Sequence, residues 1–338
     1  MSEKKDNLKI IAEIGVNHNG SIKLAKKLVD VAKKAGADYV KFQLYKTENL
    51  VQRKTKNLKY QIKNTKKNIG QFALLKKLEI NENFIIKIKN YCKSKKINFL
   101  CSPFDTESLS LLIKLKVFNI KIASGEINNY LLLKTIGKKA KKIFLSTGMS
   151  SLKEVDQALK ILKFNGAKTK NIFILHCHSD YPTSLENVNL RAMTTMKKKL
   201  KVDVGYSDHT KGIETGIAAV ALGARVIEKH ITLNKKMSGP DHKASMEPKK
   251  FYEFVKLLKN SQTLLGSYEK KPTRIEKKNI KLIRKSISAK KNILKGERFS
   301  SKNITCKRPE GGLSPMLWKR VIGKRSKFNF KIDEFIKI

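Results

Sequence analysis

Pairs of polar side chains stand two residues apart within several apolar stretches of this sequence. In VIEKHIT, Glu228 and His230 flank Lys229, and in VKFQ the same spacing separates Lys41 from Gln43. Side chains two apart in a β-strand project from the same face, so the carboxylate and the imidazole would point together and Lys229 would point away. Carboxylate, imidazole and ammonium groups at the ends of buried strands can bind anions, bind a metal ion or transfer protons.

The elements that would carry these residues alternate regularly between strand-like and helix-like patterns. Strands are predicted at residues 10–15, 39–43, 97–104, 119–124, 142–148, 172–177, 202–207 and 225–232. Helices are predicted at residues 21–35, 83–95, 106–115, 128–139, 151–165, 186–200, 213–222 and 248–264. This order indicates an α/β fold, a (β/α)8 TIM barrel with its active site at the carboxyl ends of the strands. A doubly wound open sheet is the alternative, but it would more often have a glycine-rich fingerprint after the first strand.

The pattern also divides the chain into two domains. Residues 1–268 form the predicted barrel, in which the long connection 44–82 is expected to act as a lid or a substrate wall. Residues 269–282 are polar and charged, as is typical of a linker. Residues 283–338 contain short segments, turns and glycines, which indicate a small β-rich domain. Because so short a segment buries little surface alone, we expect it to dock on a barrel.

Composition limits the class of protein. The net charge is +46, but only nine of the 74 basic residues are Arg, and the Lys residues are spread along the whole chain. Arg is the usual residue for reading phosphates, so compositional bias explains the charge better than a polyanion-binding role does. No apolar run approaches the ~20 residues of a membrane helix, and the first residues lack an apolar signal core, so we expect a cytoplasmic protein. The four cysteines form no CxxC pair and are predicted to be free thiols.

Cations and hydroxyls at the predicted strand ends suit an anionic ligand. Lys41 and Lys121 would place two ammonium groups in the barrel mouth. Three hydroxyls accompany them, from Ser124, Ser146 and Ser207. Glycines that would let backbone amides approach a ligand follow at positions 125, 148 and 205. These groups suit a phosphate and a carboxylate, both of which phosphoenolpyruvate carries.

Two histidines at the same end suit a divalent cation. His209 and His230 lie on predicted neighbouring strands and could ligate one ion, which would keep open positions for water or substrate. Two protein ligands make a weak site, better suited to labile Mn²⁺ than to structural zinc. Glu13 would be free at this rim for proton transfer or for stabilising a cation. A lone buried His or Lys is more often structural, but polar groups at all eight strand ends favour a functional mouth.

The sequence resembles the sialic acid synthases, a family that makes N-acetylneuraminate, legionaminate and pseudaminate. The resemblance covers almost the whole chain. It rests on AEIGVNHNGS (12–21), VKFQ (40–43), SPF (102–104), IKIASGEINN (120–129), LSTGM (145–149), GYSDHT (205–210), IEKHIT (227–232) and GPDHKASMEP (239–248). The tail, KRPEGGLSP (307–315), resembles the antifreeze-like (SAF) domain of that family.

The resemblance implies a reaction and a substrate site. Family members join C3 of phosphoenolpyruvate to the aldehyde of an N-acetylated aldose, and water attacks C2 with loss of phosphate. The resemblance implies that phosphoenolpyruvate is held by Lys41, Lys121, Ser124, Ser146 and Ser207. It also implies that Glu13 stabilises the cationic C2 or steers the attacking water.

The resemblance further implies a metal site, sugar contacts and an assembly. His209 and His230 would bind Mn²⁺ or Mg²⁺, which would polarise the aldehyde. Contacts to the sugar or to metal-bound water would come from Gln43, Glu126, Tyr181 and Asp241. Members are domain-swapped homodimers, so Arg308 would reach the site of the partner and meet the N-acetyl group. Glu228 would support His230 or touch substrate, and an ion pair with one of the mouth lysines is the alternative.

Several alternatives remain open from the sequence. The sugar could be N-acetylmannosamine, 2,4-diacetamido-2,4,6-trideoxymannose or the altrose isomer of the latter, which leads to pseudaminate. Another phosphoenolpyruvate-dependent 3-deoxyketoacid synthase would act on a phosphorylated aldose and would need an extra basic cluster, preferably of Arg, which the predicted mouth lacks. A non-enzymatic polyanion-binding protein is suggested by the charge alone, and the sequence contains no nucleic-acid-binding motif.

Overall fold

The structure is a computed structural model that describes residues 8–66 and 69–338. Residues 1–7, which include most of the start expected to lack a signal core, lie outside the described residues, as do residues 67–68 of the long connection. Within the described ranges, no helix combines the length and the apolar character that a membrane span requires.

Eight parallel strands close into a barrel in chain order. They are β1 Lys9–Gly15, β2 Tyr39–Leu44, β3 Asn98–Pro103, β4 Asn119–Ile122, β5 Lys142–Ser146, β6 Ile172–His176, β7 Asp203–Asp208 and β8 Val226–His230. Pairing of β8 with β1 closes the ring. The predicted (β/α)8 barrel is confirmed, and the open doubly wound sheet is excluded.

Helices follow the strands, and a group of three occupies the connection 44–82. The helices of the barrel unit are α1 Ile22–Ala35, α2 Thr47–Leu50, α3 Lys59–Thr65, α4 Gln71–Leu78, α5 Glu82–Ser94, α6 Thr106–Lys114, α7 Tyr130–Lys139, α8 Leu152–Phe164, α9 Arg191–Leu200, α10 Glu214–Ala221 and α11 Pro248–Leu265. Helix α9 begins later than the predicted residue 186. Asn189 has a φ of 46°, and this left-handed conformation interrupts a right-handed helix.

Local signals fix several helix ends. Side chains of Ser21, Asp105 and Ser151 accept a backbone N–H of the first helical turn that follows each of them. Gly36 ends α1 with a φ of 84°, which is the left-handed cap that glycine adopts without strain. These ends determine where each helix returns the chain to the next strand.

The period-two pattern of the strands separates two apolar cores. Residues on the outer face, such as Ile10, Val40 and Ile227, pack with the helices. Residues on the inner face form a separate cluster of Ile11, Tyr39, Leu100, Phe144, Phe173, Leu175 and Val226. This cluster fills the amino-terminal part of the barrel interior. The polar residues that come next along the strands are therefore left at the carboxyl-terminal mouth.

Gly205 belongs to this inner packing, contrary to the expectation that its amide would face a ligand. A Cβ atom at position 205 would lie 2.4 Å from the carbonyl oxygen of Val226 and 2.7 Å from Cδ2 of Leu175. Only a residue without a side chain fits between these neighbours. The glycine is therefore explained by packing, and the sequence interpretation was wrong at this position.

Residues from Ser267 onward form a second compact unit, and the first unit ends at Gly266. The elements of the second unit are α12 Arg274–Ile283, β9 Ser286–Ala289, β10 Ile304–Lys307 and α13 Trp318–Val321. Strands β9 and β10 pair antiparallel. Its small core consists of Ile287, Ala289, Ile293, Phe299, Ile304, Val321, Phe330 and Ile336. The predicted linker 269–282 contains most of α12.

We expect Gly205→Ala to lower the free energy of unfolding by about 1–3 kcal/mol, because the added methyl group must displace a filled interior. Gly125→Ala is the matched control, since a Cβ at that position meets no atom within 4 Å among the described residues outside its own turn. Denaturant unfolding should be followed by circular dichroism, because the single tryptophan, Trp318, lies outside the barrel. Equal stability of the two variants would contradict the packing role.

Candidate active site

A polar layer follows the apolar cluster at the mouth of the barrel. Its members are Glu13 on β1, Lys41 on β2, Lys121 on β4, Ser207 on β7 and Glu228 on β8, and none is more than 5% exposed. Strand register places Glu13 level with Lys41 and Ser207 level with Glu228. Residues far apart in the chain thus meet in one buried layer, as the strand-end pattern predicted.

The carboxylate of Glu228 joins this layer together. Lys41 Nζ donates to Oε1 at 3.0 Å, and Lys121 Nζ donates to Oε1 at 2.9 Å and to Oε2 at 3.1 Å. The hydroxyl of Ser207 donates to Oε1 at 2.9 Å. Of the two interpretations of Glu228, the ion pair is therefore present, and it involves both lysines. Contact of Glu228 with a substrate stays a prediction.

Burial and mutual attraction oppose each other in this cluster. Burial alone would raise the pKa of Glu228, but Lys121 and Lys41 hold that pKa well below the ordinary carboxyl range. Burial lowers the pKa of Lys121 to about 8. Burial also acts on Lys41, but the attraction of Glu13 and Glu228 outweighs it and raises the pKa of this lysine. Glu228 and Lys41 therefore stay charged at neutral pH.

Glu13 has the properties of a proton-transfer group. Its Oε1 accepts a hydrogen bond from Gln43 Nε2 at 3.0 Å. Its Oε2 lies 3.5 Å from Lys41 Nζ and has no hydrogen-bond partner among the described residues. Burial raises the pKa of Glu13 to about 7, despite the attraction of Lys41. A carboxyl group with this pKa can accept or release a proton at neutral pH.

The imidazoles of His209 and His230 lie together at the ends of β7 and β8, with ring centroids 5.6 Å apart. Nδ1 of His209 lies 2.6 Å from the backbone oxygen of His178. Nδ1 therefore carries the proton, and Nε2 keeps its lone pair. Nδ1 of His230 is buried and has no partner in the described part of the chain. Burial lowers the pKa of His209 to about 4 and that of His230 well below its usual value, so both rings are neutral at neutral pH.

This donor set fits a divalent cation. Neutral imidazole is the form that ligates metals, and an unpaired buried nitrogen is costly unless something binds it. Among residues 8–66 and 69–338, no group of three or more His, Cys, Asp and Glu side chains could hold a metal ion. A cation at these two imidazoles would therefore take its other ligands from water or substrate.

The serine hydroxyls near the strand ends differ in whether they have hydrogen-bond partners. Ser124 Oγ accepts a hydrogen bond from the Gly148 amide at 2.9 Å and lies 3.2 Å from Cys177 Sγ. The hydroxyl oxygens of Ser146 on β5 and Ser102 on β3 are buried without a partner among the described residues. Unpaired buried hydroxyls at the mouth are available to a ligand. Ser102 was not assigned a role from the sequence, although its SPF motif contained the signal.

An aromatic wall stands against the imidazoles. The ring of Tyr181 lies 4.2 Å from that of His209 and 5.8 Å from that of His230. Tyr60, on α3, lies 5.2 Å from Tyr181. The sequence prediction included Tyr181 but missed Tyr60, because no periodic signal in the long connection indicates which residues face the barrel. The expectation that this connection forms a substrate wall was the only signal that pointed to it.

The charge of Asp241 affects the pKa values of the two tyrosines in this wall. Burial raises the pKa of Asp241 to about 6. Burial also raises the pKa values of Tyr60 and Tyr181, and the charge of Asp241 adds to both shifts. The loop of Asp241 contacts the long connection, since Asn64 Nδ2 donates to the Pro240 oxygen at 2.6 Å.

Glu126 and Arg308 are two further residues that the sequence predicted at the site. Glu126 lies in the 3-10 turn Ser124–Glu126, where it accepts a hydrogen bond from Asn129 Nδ2 at 2.8 Å. Burial raises the pKa of Glu126. Arg308 is exposed and belongs to the second unit. The roles of these two residues towards the sugar stay predictions.

Comparisons with known proteins place these features in context. A sequence model of the NeuB family matches residues 28–270, and one of the SAF domain matches residues 284–338. N,N'-diacetyllegionaminic acid synthase of Campylobacter jejuni is 49% identical over 97% of this chain and 98% of its own length. A protein of the same name from Legionella pneumophila is 40% identical over 95% of this chain and 90% of its own. The solved N-acetylneuraminic acid (sialic acid) synthetase of Leptospira borgpetersenii is 33% identical, with a TM-score of 0.73 over 82% of this chain and 91% of that one.

We expect Glu13→Gln to change how stability depends on pH. The pKa of Glu13 rises from an ordinary 4.5 to about 7 on folding. Between these values the folded chain holds a proton that the unfolded chain has lost, so this group makes wild-type stability fall as the pH rises. Glutamine has no such proton. The variant should therefore gain stability relative to wild type from about pH 4.5 to about pH 7, and the difference should then stay constant.

Thermal unfolding of both proteins across this pH range measures the effect. Glu154→Gln is the control, because hydrogen bonds from Ser151 lower the pKa of that exposed carboxylate instead. Its contribution should change only below the ordinary carboxyl range. A difference between wild type and Glu13→Gln that is independent of pH would show that Glu13 does not hold a proton near neutrality.

Proposed function

Because the chain belongs to the NeuB family and ends in a SAF domain, we propose that it condenses phosphoenolpyruvate with 2,4-diacetamido-2,4,6-trideoxymannose, giving a nonulosonic acid of the legionaminate type and phosphate. The chain is an enzyme of the synthase type. One observation carries the proposal. Lys41 and Lys121 converge on a single carboxylate in a barrel mouth that also holds two neutral imidazoles.

Phosphoenolpyruvate would bind through its phosphate and carboxylate. Lys41 and Lys121 offer buried ammonium groups, and the unpaired hydroxyls of Ser102 and Ser146 offer hydrogen bonds at the same end of the barrel. Both lysines contact Glu228, so the substrate must share or replace that contact. A phosphate dianion can compete with one carboxylate, since charge-assisted hydrogen bonds strengthen where water is excluded.

His209 and His230 would hold Mn²⁺ or Mg²⁺. Such an ion, when bound, acts as a Lewis acid that polarises the aldehyde oxygen of the sugar. The chain itself supplies the placement. The backbone oxygen of His178 fixes the tautomer of His209, and the ring of Tyr181 covers one side of that imidazole. Burial keeps both imidazoles in the neutral form that can ligate.

Glu13 would stabilise positive charge at C2 of phosphoenolpyruvate and accept a proton there. When C3 bonds to the aldehyde carbon, positive charge develops at C2, and a carboxylate nearby stabilises it. Water then adds to C2 and releases one proton, which Glu13 would accept. The bond between C2 and the phosphate ester oxygen then breaks, and phosphate leaves with the bonding electrons while the C2 hydroxyl loses its proton to it and becomes a carbonyl. The proton that Glu13 accepts from water balances the one that the former aldehyde oxygen gains. Gln43 occupies Oε1 of Glu13, so Oε2 is the atom available for the proton.

The aromatic wall suits a 6-deoxy sugar. Tyr60 and Tyr181 present ring surface beside the imidazoles, and an apolar surface favours a C6 methyl group over a hydroxyl group. The two legionaminate-type relatives support the same sugar class. N-acetylmannosamine and the altrose isomer of the diacetamido sugar are the alternatives that an assay must separate.

We expect the purified full-length chain, given phosphoenolpyruvate and Mn²⁺, to prefer the diacetamido mannose over N-acetylmannosamine and the altrose isomer by at least roughly tenfold in kcat/KM. A misfitted substituent costs about 1–3 kcal/mol in such a site. Phosphate release and product mass measure the result. If N-acetylmannosamine or the altrose isomer is turned over fastest, the proposed sugar is wrong and the chain belongs to another branch of the family. No product with any sugar, together with tight binding to nucleic acid, would favour the polyanion-binding alternative.

We expect His230→Ala to keep its circular dichroism spectrum but to lose roughly 100-fold or more of turnover, because one of two cation ligands is gone. Chelation should abolish wild-type phosphate release, and added Mn²⁺ should restore it. His176→Ala is the control, since that imidazole contacts the Val188 oxygen and Tyr206. Full activity after exhaustive chelation, or an equal loss in His176→Ala, would rule out the cation role.

A further inference from the structure

Lys229, which lies between Glu228 and His230, is directed away from the mouth and is fully buried. Its Nζ donates to Asp208 Oδ2 at 2.8 Å, to the Thr210 oxygen at 2.7 Å and to the Gly212 oxygen at 3.1 Å. The same ammonium group lies 5.6 Å from the ring centroid of Phe254. All three of its protons therefore have partners.

Asp208 is held as firmly from the other side. Its Oδ1 accepts hydrogen bonds from the amide of Thr210 at 2.9 Å and from the hydroxyl of that residue at 2.8 Å. Asp208 is 1% exposed and Lys229 is 2% exposed. A buried ion pair is costly to desolvate and is weak evidence for stability by itself. The residues that this ion pair holds in place are therefore a better guide to its role.

The ion pair lies directly behind the two imidazoles. Asp208 and Lys229 are level with each other across β7 and β8. His209 follows the first and His230 follows the second. Because side chains alternate along a strand, the outward pair holds the two segments whose inward groups are the imidazoles. The bonds to the Thr210 and Gly212 oxygens extend this hold to the chain that follows His209.

We propose that Lys229 and Asp208 are positioning residues, which set the separation and orientation of His209 and His230 from the outer face of the barrel. They touch neither the mouth nor a substrate there. Without the pair, the chain from Asp208 to Gly212 is free to shift, and the imidazoles no longer face one ion. This inference rests on the cation site of the proposed function.

The test measures Mn²⁺ affinity directly, by the paramagnetic resonance signal of free Mn²⁺ over the full-length chain without substrates. We expect Lys229→Met to raise the Kd for Mn²⁺ roughly 10- to 100-fold, which is the usual effect of losing a group that orients a metal ligand. Asp208→Asn preserves the shape of the side chain and should raise the Kd in the same direction. It replaces Lys229→Met in the test if that variant fails to fold.

A second ion pair between the same strand segments provides the control. Arg225 Nη1 lies 2.9 Å and 3.0 Å from the two carboxylate oxygens of Asp203, where β7 begins and just before β8. Arg225→Met removes an ion pair at the end away from the imidazoles. Its Kd for Mn²⁺ should stay within about threefold of wild type, well below the effect of losing an orienting group.

The outcomes separate the inference from the proposed function. A folded Lys229→Met or Asp208→Asn variant that binds Mn²⁺ like wild type overturns the positioning role, while the cation site stands. An equal weakening in Arg225→Met overturns it too, because general loosening of β7 and β8 would then explain the effect. A wild-type chain that binds no Mn²⁺ removes the cation site itself.

Discussion

Two ammonium groups share one carboxylate inside the barrel, and the geometry of the mouth depends on this arrangement. Lys41, Lys121 and Glu228 are each almost completely buried, and an isolated charge in such a place would cost several kcal/mol. No local element brings these residues together, because they lie on β2, β4 and β8. Only closure of the barrel places both ammonium groups about 3 Å from Glu228. The charges therefore require the closed ring, and the apolar cluster beneath them keeps their surroundings dry.

The charge balance of this layer favours an anionic ligand. Glu13 holds a proton over much of the range up to neutral pH, because burial raises its pKa to about 7. When both lysines are charged and Glu13 is neutral, Glu228 compensates only one of the two ammonium groups. An arriving anion supplies the missing charge. Above about pH 7, Glu13 is instead the carboxylate that the proposed reaction requires.

Strand periodicity predicted the barrel and the direction of most of its side chains, because one physical rule governs both. Alternation places Glu228 and His230 inside and Lys229 outside, and the structure agrees. The alternation rule does not predict which side chains contact each other across the barrel interior. The pairing of Glu228 with two lysines depends on which strands face each other, and the packing of Gly205 depends on side chains from β6 and β8. Tyr60 could not be assigned because the long connection has no period that shows which residues turn inward.

Three consecutive residues of β8 serve different purposes, and this fixes the register of the strand. A shift by one residue would move every side chain to the opposite face. Lys229 would then enter the mouth beside Lys41 and Lys121, while Glu228 and His230 would turn towards the helices. Three ammonium groups would share the interior with Glu13 as the nearby carboxyl group, and Asp208 would lose its cation. Apolar residues alone would oppose such a shift only weakly, since Val226 and Ile227 are both aliphatic and either could occupy the inner or the outer face. The charged residues of β8 therefore have two roles: they specify the register of the strand, and they supply side chains to the site.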